Sequence, residues 1–157
     1  MRTKARIYFA VVLNVLTYGV EASCPRASDV RRMEVFHQRC RRTMLGRRSA
    51  GMSNADVLWR CYMPSIHLVL RRSRFQWLGH VGRMDFDRIP KQLLFARLDG
   101  PRPRGRPPKP WSQLVAGELA HVSYTNPEWP AARSWHEWQD VCRVRYRWRK
   151  IRRVMSD

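Results

Sequence analysis

Acidic residues are scarce in this chain of 157 residues. Only 12 aspartates and glutamates stand against 31 lysines and arginines, so the formal net charge is +19 and the pI is about 11.4. This excess is larger than solubility requires, and it indicates polyanions as partners. Arginine greatly outnumbers lysine, which favours bidentate contacts with phosphate and stacking on rings.

Apolar residues, by contrast, are sufficient for a folded core. Hydrophobic residues make up 44% of the chain and include seven tryptophans, which excludes a disordered basic tail. The length suits one domain of ordinary size. No apolar run reaches the roughly 20 residues of a membrane span, so we expect no membrane partner.

The four cysteines form no close pair. Cys24, Cys40, Cys61 and Cys142 are widely spaced, so neither a disulfide framework nor a zinc finger is indicated. Cys40 and Cys61 fall on apolar faces and are expected to be small core residues. The nearest approach to a metal site is His37 with Cys40, which Cys24 and Cys61 could join. Structural zinc sites usually show two tight ligand pairs, so we expect neither a metal nor a cofactor.

Catalytic motifs are also missing. The chain has no Asp-Asp pair of the kind that holds two metal ions. Asp85 and Asp87 are the closest carboxylates, and they suit helix capping or charge balance with Arg83 and Arg88. No phosphate-cradling loop and no nucleophile motif is present, and His80 is expected to be packed or hydrogen-bonded. We therefore expect no enzymatic activity.

The longest apolar run covers residues 7–20 and allows two interpretations. Basic residues precede it and Glu21-Ala22-Ser23 follows, as in a secretory signal peptide with its cleavage site. The chain would then be a secreted cationic protein. Asn14 within the run and the arginine-rich remainder argue against a signal peptide. The alternative is an internal segment of a longer protein. In that case Met1 is an accidental start and the protein is nuclear or cytoplasmic.

Residues 29–45 repeat apolar side chains every three or four positions, which predicts an amphipathic helix that ends at Gly46. Its core-facing residues are expected to be Val30, Met33, Phe36, Cys40 and Met44. The arginines on its remaining faces are Arg31, Arg32, Arg39, Arg41 and Arg42. This helix therefore combines an apolar face with strongly basic ones.

Further helices are predicted before and after this one. A first helix stops near Gly19, and its buried residues are expected to be Ile7, Val11 and Val15. Ser53 suits the N-cap of a short helix, and Pro64 suits the first turn of another. The solvent side of that helix carries Arg71, Arg72, Arg74 and Arg83.

The C-terminal part of the chain also predicts helices. One covers residues 112–122, and the last runs from about residue 132 to residue 155 as a single element. Its apolar stripe consists of Trp135, Trp138, Val141, Val144, Trp148, Ile151 and Met155. The basic residues outside the stripe include Arg143, Arg147, Arg149 and Lys150. The alternating segment RVRYRWRK would also suit a strand, but it is short and lies inside a longer helical pattern.

The tryptophans divide into two groups. Trp77 and Trp111 lie on apolar faces beside basic residues and are expected in the core. Trp148 stands between Arg147 and Arg149, which makes it the best candidate for stacking on a base.

Residues 100–110 contain five prolines, so no regular element can cross them. Their basic residues are Arg102, Arg104, Arg106 and Lys109. The core Arg104-Gly105-Arg106-Pro107 is almost an AT-hook, in which glycine lets the backbone approach the floor of a narrow minor groove. The alternative is a solvated linker. We call this segment the strap.

Several of these segments together resemble the region downstream of the polymerase core in non-LTR (LINE-type) retrotransposon reverse transcriptases. They are the turn Tyr18-Gly19-Val20-Glu21, HQRCRRTMLG at 37–46, residues 54–58, RFQWLGHVGRM at 74–84, Ile89-Pro90-Lys91, RGRPPKPW at 104–111 and the tryptophans around Trp138. The resemblance implies a helical thumb and connecting region that grips the primer-template hybrid, without the catalytic palm.

The resemblance has gaps. The aromatic residue expected shortly after Glu21 is missing, residues 123–135 match poorly, and Ser134-Trp135 replaces an expected Asp-Arg. Such drift suggests a decayed or partial copy of the element.

The resemblance also sets the expected organisation. Residues 1–22 would be a remnant of the palm-to-thumb junction helix, 23–99 a helical thumb-like domain, 100–110 a basic AT-hook-like linker and 111–157 a C-terminal helical region. The expected fold class is all-α: a thumb-like helical bundle with an extended basic strap and a C-terminal helix rich in tryptophan and arginine.

The leading hypothesis is a non-catalytic nucleic-acid-binding fragment of a reverse transcriptase that holds RNA, DNA and their hybrid by the phosphates. The residues expected to bind are Arg71, Arg72, Arg74, Arg83, Arg102, Arg104, Gly105, Arg106, Lys109, Arg143, Arg147, Arg149 and Lys150. The alternatives are an AT-hook-type chromatin protein and a secreted cationic protein. No small-molecule substrate is expected.

Overall fold

Every regular element in the described part of the chain is a helix. The computed structural model describes residues 2–95, 111–125 and 135–154. The elements are α1 (Arg2–Ile7), a π-helical segment (Tyr8–Leu13), α2 (Asn14–Thr17), α3 (Ala27–Leu45), α4 (Asn54–Cys61), α5 (Ile66–Gly82), α6 (Ile89–Phe95), α7 (Trp111–Thr125), α8 (Trp135–Arg143) and α9 (Arg145–Val154). Short 3-10 turns cover Val20–Ala22 and Gly46–Ser49. The prediction of an all-α fold is confirmed for these residues.

The chain forms two compact units, Met1–Arg71 and Arg72–Asp157. Helix α5 contributes to both of them. Its residues Ile66 and Leu70 lie in the core of the first unit, and Phe75 and Leu78 lie in the core of the second. The predicted divisions after residues 22, 99 and 110 stay predictions.

Helix α3 follows the predicted bounds closely. Gly46 has a φ of 60° and a ψ of −140°, and its N–H donates to the carbonyls of Arg42 and Thr43. A side chain would strain that backbone conformation, so glycine ends the helix here. The predicted buried face was wrong in part, because Phe36 is 44% exposed whereas His37 and Arg41 are fully buried.

Two buried polar networks explain why His37 and Arg41 lie inside. The His37 Nε2 donates to the Pro64 carbonyl at 3.0 Å, so its Nδ1 accepts from the Tyr8 hydroxyl at 2.7 Å. Arg41 Nη2 donates to Glu34 Oε1 at 2.8 Å. Because these polar atoms have partners, their burial is tolerated. Burial lowers the pKa of His37 and raises the pKa of Tyr8.

The start of α5 depends on the same carboxylate. Glu34 Oε2 accepts from the N–H of Ile66 at 2.8 Å, and the Ser65 hydroxyl accepts from the N–H of Leu68 at 3.3 Å. These bonds satisfy donors that a helix N-terminus leaves open. The prediction that Pro64 occupies the first turn was wrong, because α5 begins at Ile66 and Pro64 instead offers its carbonyl to His37.

The N-terminal helix buries a different face from the predicted one. Ile7, Val11 and Val15 are exposed, and the buried side chains are Tyr8, Leu13 and Thr17. The buried face is already set at Tyr8, the first residue of the π-helical segment, whose hydroxyl donates to His37. In the part of the chain that the structure describes, no helix is long and apolar enough to cross a membrane.

The second unit is built around Phe75 and two tryptophans. Phe75, Trp138 and Trp148 are buried with side chains from α5, α7 and α8, and the rings of Phe75 and Trp148 lie 6.2 Å apart. Gly79 allows this approach, because a Cβ there would overlap the indole of Trp148. Trp148 therefore lies against the backbone of α5.

The predicted single C-terminal helix is two helices, α8 and α9, with a bend at Val144. Trp138 and Trp148 both lie in the core of the second unit, whereas Val144, at the bend, is 44% exposed although the predicted stripe included it. Cys142 packs beside them, and burial raises the pKa of its thiol to about 12.

Candidate nucleic-acid interface

The outward side of α3 carries arginines that the predicted binding set did not include. Arg31, Arg32 and Arg39 are exposed, and they line one shallow cavity of about 600 Å³ together with Val35 and Phe36. The spacing i, i+1, i+4, i+5 and i+8 puts these five residues on one side of a helix. We call them the α3 basic face.

Few carboxylates balance the α3 basic face. Arg32 lies 4.0 Å from Asp29 in an exposed pair, which contributes little. Arg31 and Arg39 have no acidic partner among the described residues. The Phe36 ring is exposed between them, so the face offers guanidinium groups together with an aromatic surface. Nucleic acids present phosphates together with flat bases, and this combination of side chains suits both.

A second cavity adjoins the α3 basic face between α3 and α4. It has a volume of about 480 Å³, and Arg39 and Arg42 line it. The donors of Arg42 are already engaged, because they contact the carbonyls of Ser49 and Met52 at 3.1 and 2.9 Å and Asn54 Oδ1 at 2.8 Å. Arg42 therefore holds α3 to the segment before α4, whereas Arg39 extends into solvent.

Three arginines of α5 that were predicted to bind phosphates differ sharply in exposure. Arg72 is exposed and Arg71 is half-buried. Arg74 is buried, and its Nε and Nη2 donate to the two carboxylate oxygens of Glu118. Arg74 is therefore engaged in a buried ion pair, and its guanidinium does not face a phosphate in solvent.

Arg83 has a structural contact as well. It is half-buried, and its Nη1 donates to the carbonyl of Cys142 at 3.2 Å. Lys91 is buried at the same end of α5, where its Nζ donates to the carbonyls of Gly82 and Met84 at 3.3 and 2.6 Å. Arg83 thus bonds a carbonyl at the C-terminus of α8, and Lys91 bonds carbonyls at the C-terminus of α5.

The solvent side of α9 repeats the arrangement seen on α3. Arg145, Tyr146, Arg149 and Lys150 are exposed at positions i, i+1, i+4 and i+5 of the helix. We call them the α9 basic face. Arg145 and Arg149 have no acidic partner among the described residues. Arg143 is exposed at the end of α8, 3.5 Å from Asp140.

The prediction that Trp148 stacks on a base was wrong. Its ring is 3% exposed and lies in the core of the second unit. Tyr146, which is 77% exposed, is the ring that faces solvent on α9. Trp111 contacts Trp77 edge to face at 4.8 Å, and both are partly buried, in keeping with their predicted structural role.

Some predicted residues lie outside the described part of the chain. They are Arg102, Arg104, Gly105, Arg106 and Lys109 of the strap and the side chain of Arg147. Their role stays a prediction.

The described residues contain no group of three or more side chains able to hold a metal ion. Asp85 and Asp87 are exposed in the segment between α5 and α6. His37, the centre of the considered zinc site, has both ring nitrogens in hydrogen bonds. His80 is exposed and has no side-chain hydrogen bond within the described residues, so the prediction that it is packed or hydrogen-bonded was wrong.

Comparison with protein-family models, curated proteins and solved structures finds no match to this chain. The relation to LINE-type reverse transcriptases is therefore a hypothesis supported by the sequence segments quoted above. The basic faces on α3 and α9 stand independently of that relation, because they follow from the helices and the exposure of their side chains.

Proposed function

We propose that this chain is a non-catalytic nucleic-acid-binding part of a LINE-type reverse transcriptase, which holds RNA and DNA by their phosphates. One observation carries the proposal. The α3 and α9 basic faces each display at least two arginines without an acidic partner among the described residues, together with an exposed ring. Exposed positive charges without acidic partners repel one another and destabilise the folded chain unless phosphates neutralise them.

The dimensions of the α3 basic face fit a nucleic-acid strand. Arg31 and Arg39 are eight residues apart, which corresponds to about 12 Å along a helix axis. Successive phosphates of one strand rise about 3.4 Å along a duplex axis, so the axial separation of Arg31 and Arg39 corresponds to three to four nucleotides when α3 lies along that axis. Arg145 and Arg149 of the α9 basic face are about 6 Å apart by the same measure, or roughly two nucleotides.

The proposal predicts strongly salt-dependent binding. Fluorescence anisotropy with labelled RNA and DNA oligonucleotides would give the binding constant from 50 to 200 mM salt. We expect a fall of about three to five decades if roughly six to ten phosphates are contacted. A folded protein that ignores every oligonucleotide at low ionic strength, or binds with no salt dependence, would overturn the proposal.

A charge-removal variant tests the α3 basic face directly. R31Q/R39Q removes two phosphate contacts, so the slope of log K against log salt should become shallower by about 1.4 to 1.8. K4Q is the control, because Lys4 is exposed on α1 and lies outside the face. Equal slopes for the double variant and the unsubstituted chain would remove α3 from the interface.

A further inference from the structure

The C-terminal end of α4 exposes two large aromatic rings. Trp59 is 77% exposed and Tyr62 is 82% exposed, while their neighbours Val57 and Cys61 are buried in the core of the first unit. The two ring centroids lie 6.5 Å apart, with 36° between the ring planes. We call this pair the aromatic platform.

The backbone of Tyr62 is strained. Its φ is 52° and its ψ is 39°, and it is the one non-glycine residue with a positive φ among the described residues. Its N–H donates to the Trp59 carbonyl at 3.2 Å and so ends α4. Glycine or asparagine fills this position at lower cost in most helices. Neither the turn nor the core accounts for a tyrosine here, and strained residues of this kind gather at binding sites.

Two arginines lie near the aromatic platform, Arg60 on α4 and Arg6 on α1. Arg60 is exposed between the two aromatic residues and has no acidic partner among the described residues. Tyr62 also lines a cavity of about 950 Å³. Arg6 of α1 and Asn14 of α2 line the same cavity. A ligand on the platform therefore meets flat rings together with guanidinium groups, a combination that fits a planar group attached to an anion.

We propose that the aromatic platform stacks an unpaired nucleobase of single-stranded RNA or DNA, while Arg60 and Arg6 contact the neighbouring phosphates. The inference depends on the proposed function and adds a preference for single strands. In a duplex the faces of the bases are covered by stacking, so only an unpaired base can lie on the rings. Every base has such a face, so the platform is tolerant of sequence.

The test compares single strands with duplexes of equal length by fluorescence anisotropy. W59A removes a ring on which one base would stack, and the lost binding free energy should lower single-strand affinity roughly 5- to 150-fold. Y62G should lower it similarly, because glycine keeps the left-handed backbone and removes the ring. Y62F retains the ring and should retain affinity. Duplex affinity should change less than about twofold.

Y18A is the matched control. Tyr18 is also exposed in the first unit but has no ring contact with Trp59 or Tyr62, so its loss should leave both affinities unchanged. Salt gives an independent readout. W59A should weaken binding equally at every salt concentration, because stacking releases no counterions, whereas R60Q should make the single-strand slope shallower by about 0.7.

The outcomes separate the two proposals. If the unsubstituted chain binds single strands and duplexes but W59A and Y62G bind single strands equally well, the platform is refuted and the proposed function stands. Equal losses for both forms, or an equal loss in Y18A, would also refute the platform. If the unsubstituted chain binds neither form at low salt, the proposed function itself fails.

Discussion

Removing the guanidinium of Arg74 should destabilise the protein far more than removing any exposed arginine. The side chains of Arg74 and Glu118 are 7% and 13% exposed, so R74M leaves a desolvated carboxylate without its partner. Breaking one side of a buried pair costs about 3 to 5 kcal/mol. E118L should cost a similar amount, because it leaves the buried guanidinium unpaired.

The double variant R74M/E118L should regain most of that loss. It removes both charges and fills the space with apolar atoms, which is often neutral or stabilising for a buried pair. Urea unfolding at neutral pH would measure all three free energies of unfolding, provided the m-value stays constant. R72M is the control, because Arg72 is exposed and its loss should stay within about 0.5 kcal/mol.

Two results would contradict this reasoning. A loss below about 1 kcal/mol for R74M would show that the pair is solvated, as surface pairs are. A double variant as unstable as the single ones would show that packing, and not charge, dominates at this position. The folded double variant should also bind oligonucleotides with the unsubstituted salt slope, because the guanidinium of Arg74 is buried against Glu118.

Two further predictions concern other buried contacts. G79A should destabilise the second unit by about 1 to 3 kcal/mol in thermal or urea unfolding, because the new Cβ forces the Trp148 ring to shift; an unchanged stability would contradict this packing. Burial lowers the pKa of His37, so the unfolded chain binds the proton more readily. The contribution of His37 to the free energy of unfolding should be fully present above the unfolded pKa of about 6.5 and should be lost as the pH drops below it. H37Q should therefore flatten the dependence of the unfolding free energy on pH.

The sequence predicted helices well where the signal was local. The apolar repeat and Gly46 set the bounds of α3, and Ser53 caps α4 through the N–H of Asp56 as expected. These features depend on neighbouring residues alone, so a pattern along the chain is enough to find them. The all-α fold class follows from the same kind of signal.

The errors have a common physical origin in contacts between distant residues. His37 is buried because Tyr8 and Pro64 bond both of its ring nitrogens, and Arg41 is buried beside the carboxylate of Glu34, which accepts from its Nη2. Periodicity cannot show partners that lie elsewhere in the sequence. Polar residues were therefore assigned to the surface and Phe36 to the core.

The candidate site was predicted less well than the fold. The excess of positive charge predicted phosphates as partners. Which arginines can reach a phosphate depends on their exposure in the fold, and Arg74 is buried. The aromatic platform had one local signal, a tryptophan and a tyrosine around Arg60 at the end of a short helix. The positive φ of Tyr62 depends on the folded backbone and cannot be read from residue types.

The carboxylate of Glu34 has a consequence for dissecting this chain into smaller pieces. Glu34 accepts a hydrogen bond from the N–H of Ile66, the first residue of α5, which lies 32 residues further along the chain. It also accepts one from Arg41. A peptide that contains α5 but lacks α3 would begin with an open donor and fray at its first turn. Shortened versions for spectroscopy should therefore retain both helices, or carry an acidic residue near position 65 as a local substitute.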